Sequence, residues 1–98
     1  MFRHVVLLRW TDDATAEQRE AARAGLLELP GVIPELRDYA VGVDAGIGGD
    51  GNAHLAIVAD FDDVDAYVAY RDHPVHQDVI ARLIRPILAS RAAVQHEL

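Results

Sequence analysis

The sequence contains no cysteine, and its nine basic residues are all arginine, with no lysine. The first absence removes disulfides, thiolate nucleophiles and cysteine-zinc centres, which suits a reducing cytoplasm. The second removes Schiff-base chemistry on a lysine amine. Ser90 is the single serine and Thr11 and Thr15 are the threonines, none of them in a Gly-x-Ser-x-Gly setting, so a serine-hydrolase mechanism has nowhere to form. Long apolar runs are missing as well. Val5-Val6-Leu7-Leu8 is closed by Arg9, far too soon to span a bilayer, and the start of the chain does not read as a signal peptide. Sixteen acidic side chains against nine arginines give a net charge of −7, which repels nucleic acid and anionic membranes at long range.

What is present is 98 residues, 51 % of them hydrophobic and 26 % charged, the composition of one ordinary globular domain over residues 1–98. Five histidines (His4, His54, His73, His76 and His96), three tyrosines and many carboxylates remain as chemically able groups. Proton transfer is therefore the chemistry open to this chain as an enzyme.

Alternation from Phe2 to Trp10 predicts a strand whose two faces are both apolar at the centre. Thr15 with Gln18 three residues on forms a capping box for a helix that runs to about Leu29 and stops at Pro30-Gly31, its inward face small: Ala22, Gly25, Leu26, Leu29. Leu36–Val43 and His54–Phe61 alternate around a glycine-rich turn and predict an antiparallel hairpin. Asp62 or Asp63 caps a short helix carrying Val64, Tyr67 and Val68, which the pair His73-Pro74 breaks. Pro74 then opens a further helix, with Val79, Ile80, Leu83 and Ile84 inward, until Pro86 kinks or ends it. Ala92–Leu98 alternates as a closing strand. The order is β-α-β-β-α-β, the ferredoxin-like α+β arrangement with a four-stranded antiparallel sheet and helices on one face. The two-sided first strand asks for a second cover that the chain cannot supply, so the expectation is a homodimer with sheet packed on sheet.

Three stretches carry a resemblance that covers essentially the whole chain: His4-Val5-Val6-Leu7-Leu8-Arg9-Trp10, the segment His54 to Phe61, and above all Tyr67-Val-Ala-Tyr-Arg-Asp-His-Pro-Val-His76. They resemble the stress-responsive dimeric α+β barrel family. The resemblance implies a dimeric barrel and, from the family's cofactor-free polyketide cyclases, a histidine general base at His76 with Tyr70 assisting. It places pocket residues at His4 and His54 and gives His73 a structural role. Positions on the first helix that are aromatic pocket walls in such cyclases are Ala22 and Leu26 here, so a different substrate is implied.

The chemistry agrees with that assignment. A neutral imidazole can take a proton from a carbon between two carbonyls, and a phenol can donate to the oxygen that becomes an enolate. A plainer reading remains beside it, with His73 capping a helix and His76 bonding to neighbouring structure. His73 and His76 are three apart and could share a face as metal ligands, but a third ligand is not apparent, so no metal is assigned. The stretch Asp44 to Gly51 lacks the Lys-Ser/Thr of a phosphate loop, precedes a strand, and reads as a hairpin loop.

The leading expectation is thus a cytoplasmic, cofactor-free, cyclase-like or lyase-like protein abstracting a proton from a small poly-carbonyl compound. The alternatives are a non-catalytic stress-responsive ligand-binding barrel and a cofactor-independent oxygenase of a related barrel family. Nucleic acid and membrane are not expected partners.

Overall fold

A computed structural model describes residues 1–98. Its spine is β1 (Phe2–Trp10), paired antiparallel with β3 (Leu55–Phe61) on one side and β4 (Leu88–Glu97) on the other, while β2 (Asp38–Val43) pairs with β3 to give the order β2-β3-β1-β4. The register sets Val6 opposite Ile57 and Ala93, and Leu8 opposite Leu55 and Arg91. Side chains alternate between faces in a strand. Even-numbered residues of β1 therefore point at the helices, and Val6, Leu8 and Trp10 are buried there with Leu55, Ile57, Ala59 and Phe61 of β3.

The helix α1 (Ala16–Leu27) begins as the sequence implies. Gln18 N–H donates to the Thr15 hydroxyl and the Gln18 side chain accepts from Thr15 N–H. Two of the four orphan N–H groups at a helix start are thereby satisfied. Its small face permits close packing: a Cβ on Gly25 would lie 2.5 Å from Cδ1 of Leu83. Asp63 caps α2 (Val64–Asp72) by accepting from Ala66 N–H, and His73 caps α3 (Pro74–Val79), its Nδ1 accepting from Val75 N–H at 3.1 Å.

Several boundaries differ from the expected ones. The helix after Pro74 does not continue regularly to Pro86. It gives way to a π-helical turn over Ile80–Ile84 and a 3₁₀ turn over Arg85–Ile87. Pro86 has no N–H and its ring would clash with the carbonyl four residues back, so the last bond runs instead from Arg85 N–H to the Ile80 carbonyl. The closing strand starts at Leu88 rather than Ala92, because Leu8, Arg9 and Trp10 still need partners there, and a bulge at Ala89 takes up the register. β2 starts at Asp38 rather than Leu36, and β3 at Leu55 rather than His54.

The face turned away from the helices carries Val5 and Leu7 of β1, Val58 of β3 and Val94 of β4 in adjacent rows. Leu7 is 44 % and Val94 54 % exposed, so this apolar surface is uncovered within one chain. At its end Arg3 grips Asp60 with two bonds, Nε to Oδ1 at 2.7 Å and Nη2 to Oδ2 at 2.8 Å. The guanidinium holds the buried Asp60 carboxyl below the usual carboxylate range.

Candidate active site

Between the sheet and the helices opens a cavity of about 290 Å³. β1 lays His4, Val6 and Leu8 on its floor, α2 supplies Tyr67 and Tyr70, and α3 supplies His76. The break at Pro74 is what brings the last two together. An uninterrupted helix would place residues six apart on different faces; the turn at His73 redirects the chain so that the His76 ring lies 4.3 Å from that of Tyr70, centroid to centroid.

The tautomer of His76 follows from its one hydrogen bond. Nδ1 lies 2.9 Å from the Arg71 carbonyl, which can only accept, so Nδ1 carries the proton and Nε2 keeps a lone pair. Burial, reinforced by the positive charge of Arg91, lowers the His76 pKa from its ordinary value, although the Arg71 carbonyl works the other way. The ring is therefore neutral and basic at neutral pH.

His4 is held in the opposite sense. The Gln95 amide, opposite it on β4, donates to Nδ1 at 2.8 Å, so the proton sits on Nε2 and His4 is a hydrogen-bond donor. It is 5 % exposed, and burial, with Arg91 and His76 adding to it, lowers its pKa to about 4. Its ring rests against Tyr67 and edge-on to Tyr70. Tyr70 is buried, which pushes its hydroxyl up to about 12, so it remains protonated and able to donate. Behind it the hydroxyl of Tyr39 is also buried, raised well above the ordinary range by burial with Tyr70 beside it.

Of the residues singled out from sequence, His4, Leu26, Tyr70 and His76 line this one cavity. His54 and Ala22 do not. His54 lies at the opposite end of the β1–β3 pair, where its Nδ1 accepts from Trp10 N–H at 2.9 Å as β1 ends. Antiparallel pairing carries the start of one strand to the end of its neighbour, which is why two strand-borne histidines end up apart. Ala22 is fully buried under the sheet as core. His73 spends its Nδ1 on the cap, and no group of three His, Cys, Asp or Glu side chains comes together as a metal site. Gln95, Arg85 and Arg91 were not legible as site residues. The alternation Arg91, Ala93, Gln95 would have pointed to two of them, had β4 been started at Leu88.

The four-stranded antiparallel sheet with helices on one face makes this a ferredoxin-like α+β protein, with a cavity lined by His4 and His76 between the two layers. The chain belongs to the stress responsive A/B barrel domain (Dabb) family, whose family model matches residues 2–97. Among solved structures, a dimeric ferredoxin-like protein of unknown function from Thermobifida fusca YX is 46 % identical, with 99 % of this chain and 90 % of that one covered at a TM-score of 0.89. A dimeric protein of unknown function from Bacteroides fragilis NCTC 9343 is 26 % identical, with coverages of 99 % and 95 % and a TM-score of 0.85. The hydroxynitrile lyase of Passiflora edulis shares the fold at 18 % identity, with coverages of 99 % and 92 % and a TM-score of 0.85. No curated protein matches the chain. No helix is long and apolar enough to cross a membrane.

Proposed function

We propose that this protein is a homodimeric, cofactor-free catalyst of the cyclase-like or lyase-like kind, in which His76 removes a proton from a carbon beside a carbonyl. The observation that carries the reading is the pairing of opposite imidazole tautomers in one cavity: an acceptor at His76 Nε2 and a donor at His4 Nε2, with the Tyr70 ring against both imidazoles. The base takes the α-proton, and the carbonyl oxygen gains negative charge as the enolate forms. Tyr70 and His4 donate to that oxygen, and because both donors are buried their O–H and N–H dipoles act there with little screening. In a ring closure the enolate carbon attacks a second carbonyl of the same molecule, forming a carbon–carbon bond. The alkoxide then recovers the proton that His76 holds. Cleavage of a carbon–carbon bond next to a hydroxyl is the same sequence reversed.

A second copy on the sheet face of Val5, Leu7, Val58 and Val94 covers the apolar surface that one chain leaves open. The dimeric state of the Thermobifida fusca relative supports this.

The test is proton exchange. A small poly-β-ketone is incubated in D₂O with and without protein, and loss of its α-proton signals is followed by NMR beside its uncatalysed rate. The expected result is exchange above background that depends on His76. Binding without any exchange or turnover would favour the ligand-binding alternative.

A further inference from the structure

Five of the nine arginines close ion pairs with a carboxylate: Arg3, Arg23, Arg37, Arg71 and Arg82. Arg9 donates to the backbone carbonyls of Asn52 and Asp50. Arg19, Arg85 and Arg91 are left without a side-chain hydrogen bond or ion pair, and two of these three line the same cavity, the one that holds His4 and His76. Shortage of partners is not the reason, since acidic residues outnumber arginines sixteen to nine. Arg71 also lines the cavity and is paired with Asp72, which does not line it. No Asp or Glu lines this cavity, so Arg85 and Arg91 face it as unpaired positive charges in a chain whose net charge is −7.

The placement of Arg91 is specific. It stands on β4 directly opposite Leu8, on the helix side of the sheet, away from the apolar face left for a second copy. Burial is the larger influence on each, but the Arg91 charge adds to the lowering at His4 and His76 and works against the rise at the Tyr70 hydroxyl, so it is felt by all three groups. Arg85 reaches the same cavity from the 3₁₀ turn. Both residues are exposed, so water solvates their guanidinium groups at little cost. An anionic group entering the cavity would exchange that water for a planar, bidentate guanidinium contact.

We propose that the cavity selects carbonyl compounds that carry a carboxylate, with Arg91 as the anchoring residue and Arg85 as a second cation at the rim. This rests on the proton-transfer reading above, because it is the carboxylate that positions the reacting carbonyl between His76 and the two donors. The volume, at the low end of the roughly 300–1,000 Å³ usual for ligand pockets, calls for a small keto acid rather than a long chain.

The probe is 4-oxopentanoate, a stable keto acid, set against its methyl ester and against acetate. Binding is read from the His4 and His76 ring signals by NMR. The keto acid is expected to bind about tenfold or more tighter than either control, the scale of one desolvated charge-assisted pair. Arg91→Gln should remove that preference, Arg91→Lys should keep part of it, and Arg82→Gln, whose partner is Asp78, should not change it. Equal binding of acid and ester, equal binding of acetate, binding of none, or a preference that survives in a well-folded Arg91→Gln variant each overturns the assignment. Deuterium exchange on a neutral poly-β-ketone separates the two ideas. Exchange without acid preference leaves the proton chemistry standing and removes the anchor, whereas acid preference without exchange does the reverse.

Discussion

The His76 imidazole lies over the Tyr70 ring with the planes 39° from parallel, and no hydrogen bond joins them. The contact between the two rings is face to face, and His76 Nε2 is left without a protein partner. A hydrogen bond to the phenol would have used that lone pair.

Removal of the base should therefore be severe while the fold survives. His76→Ala is expected to lower turnover by about 10²- to 10⁴-fold, the range for loss of a general base, with the circular dichroism spectrum and sedimentation unchanged. Full activity in that variant would place the base elsewhere. Because burial lowers the His76 pKa, the acid limb of kcat/KM should fall at a pH below the ordinary 6.5; a midpoint above it would contradict the neutral ring.

Tyr70→Phe is expected to cost less than His76→Ala, on the order of tenfold to a hundredfold, since His4 still donates to the developing oxyanion. With the Tyr70 hydroxyl pushed up to about 12, no alkaline limb from this residue should appear below about pH 10 in a profile of the native protein. A limb near pH 8 that vanishes in Tyr70→Phe would show the phenol ionising where it must stay protonated.

His4 links stability to pH. Its folded pKa, about 4, lies below the ordinary 6.5 of the unfolded chain, so between those values the unfolded state binds the proton that the folded state refuses. The stabilisation is complete above pH 6.5 and is lost as pH falls towards 4. Urea denaturation should show about 1–2 kcal/mol less stability at pH 5 than at pH 7 from this residue, and His4→Gln should flatten the slope. An unchanged slope in the variant would mean that His4 is not the group responsible.

The exposed sheet face supplies the remaining prediction. Sedimentation at micromolar concentration should give twice the chain mass of 10.7 kDa. Leu7→Arg or Val94→Asp, which sets an unpaired charge in the apolar interface, should weaken association at least about a hundredfold. A native protein that sediments as one chain would remove the dimer.

Local chemistry was enough to read most of the fold. The box of Thr15 and Gln18, the His73-Pro74 break and the alternation of β1 act within a few residues, so each is visible in the sequence and each forms as expected, and of the two caps offered, Asp62 and Asp63, the structure uses Asp63. Boundaries set by a distant strand were not visible in that way: β4 begins at Leu88 only because Leu8, Arg9 and Trp10 still need partners.

The same division holds in the cavity. Composition alone tells which chemistries the chain lacks, and the residues around Pro74 announce a tyrosine and a histidine. That His4 joins them while His54 is carried to the far end of its strand follows from strand pairing, since antiparallel register relates residues fifty apart. Tertiary structure also decided the protonation pattern. The donors and acceptors that fix each imidazole, the Arg71 carbonyl and the Gln95 amide, come from a helix end and from the last strand, and no local pattern announces either. Arg91 reads as one more surface charge until the sheet turns it towards the helices, into a cavity that holds no carboxylate to answer it.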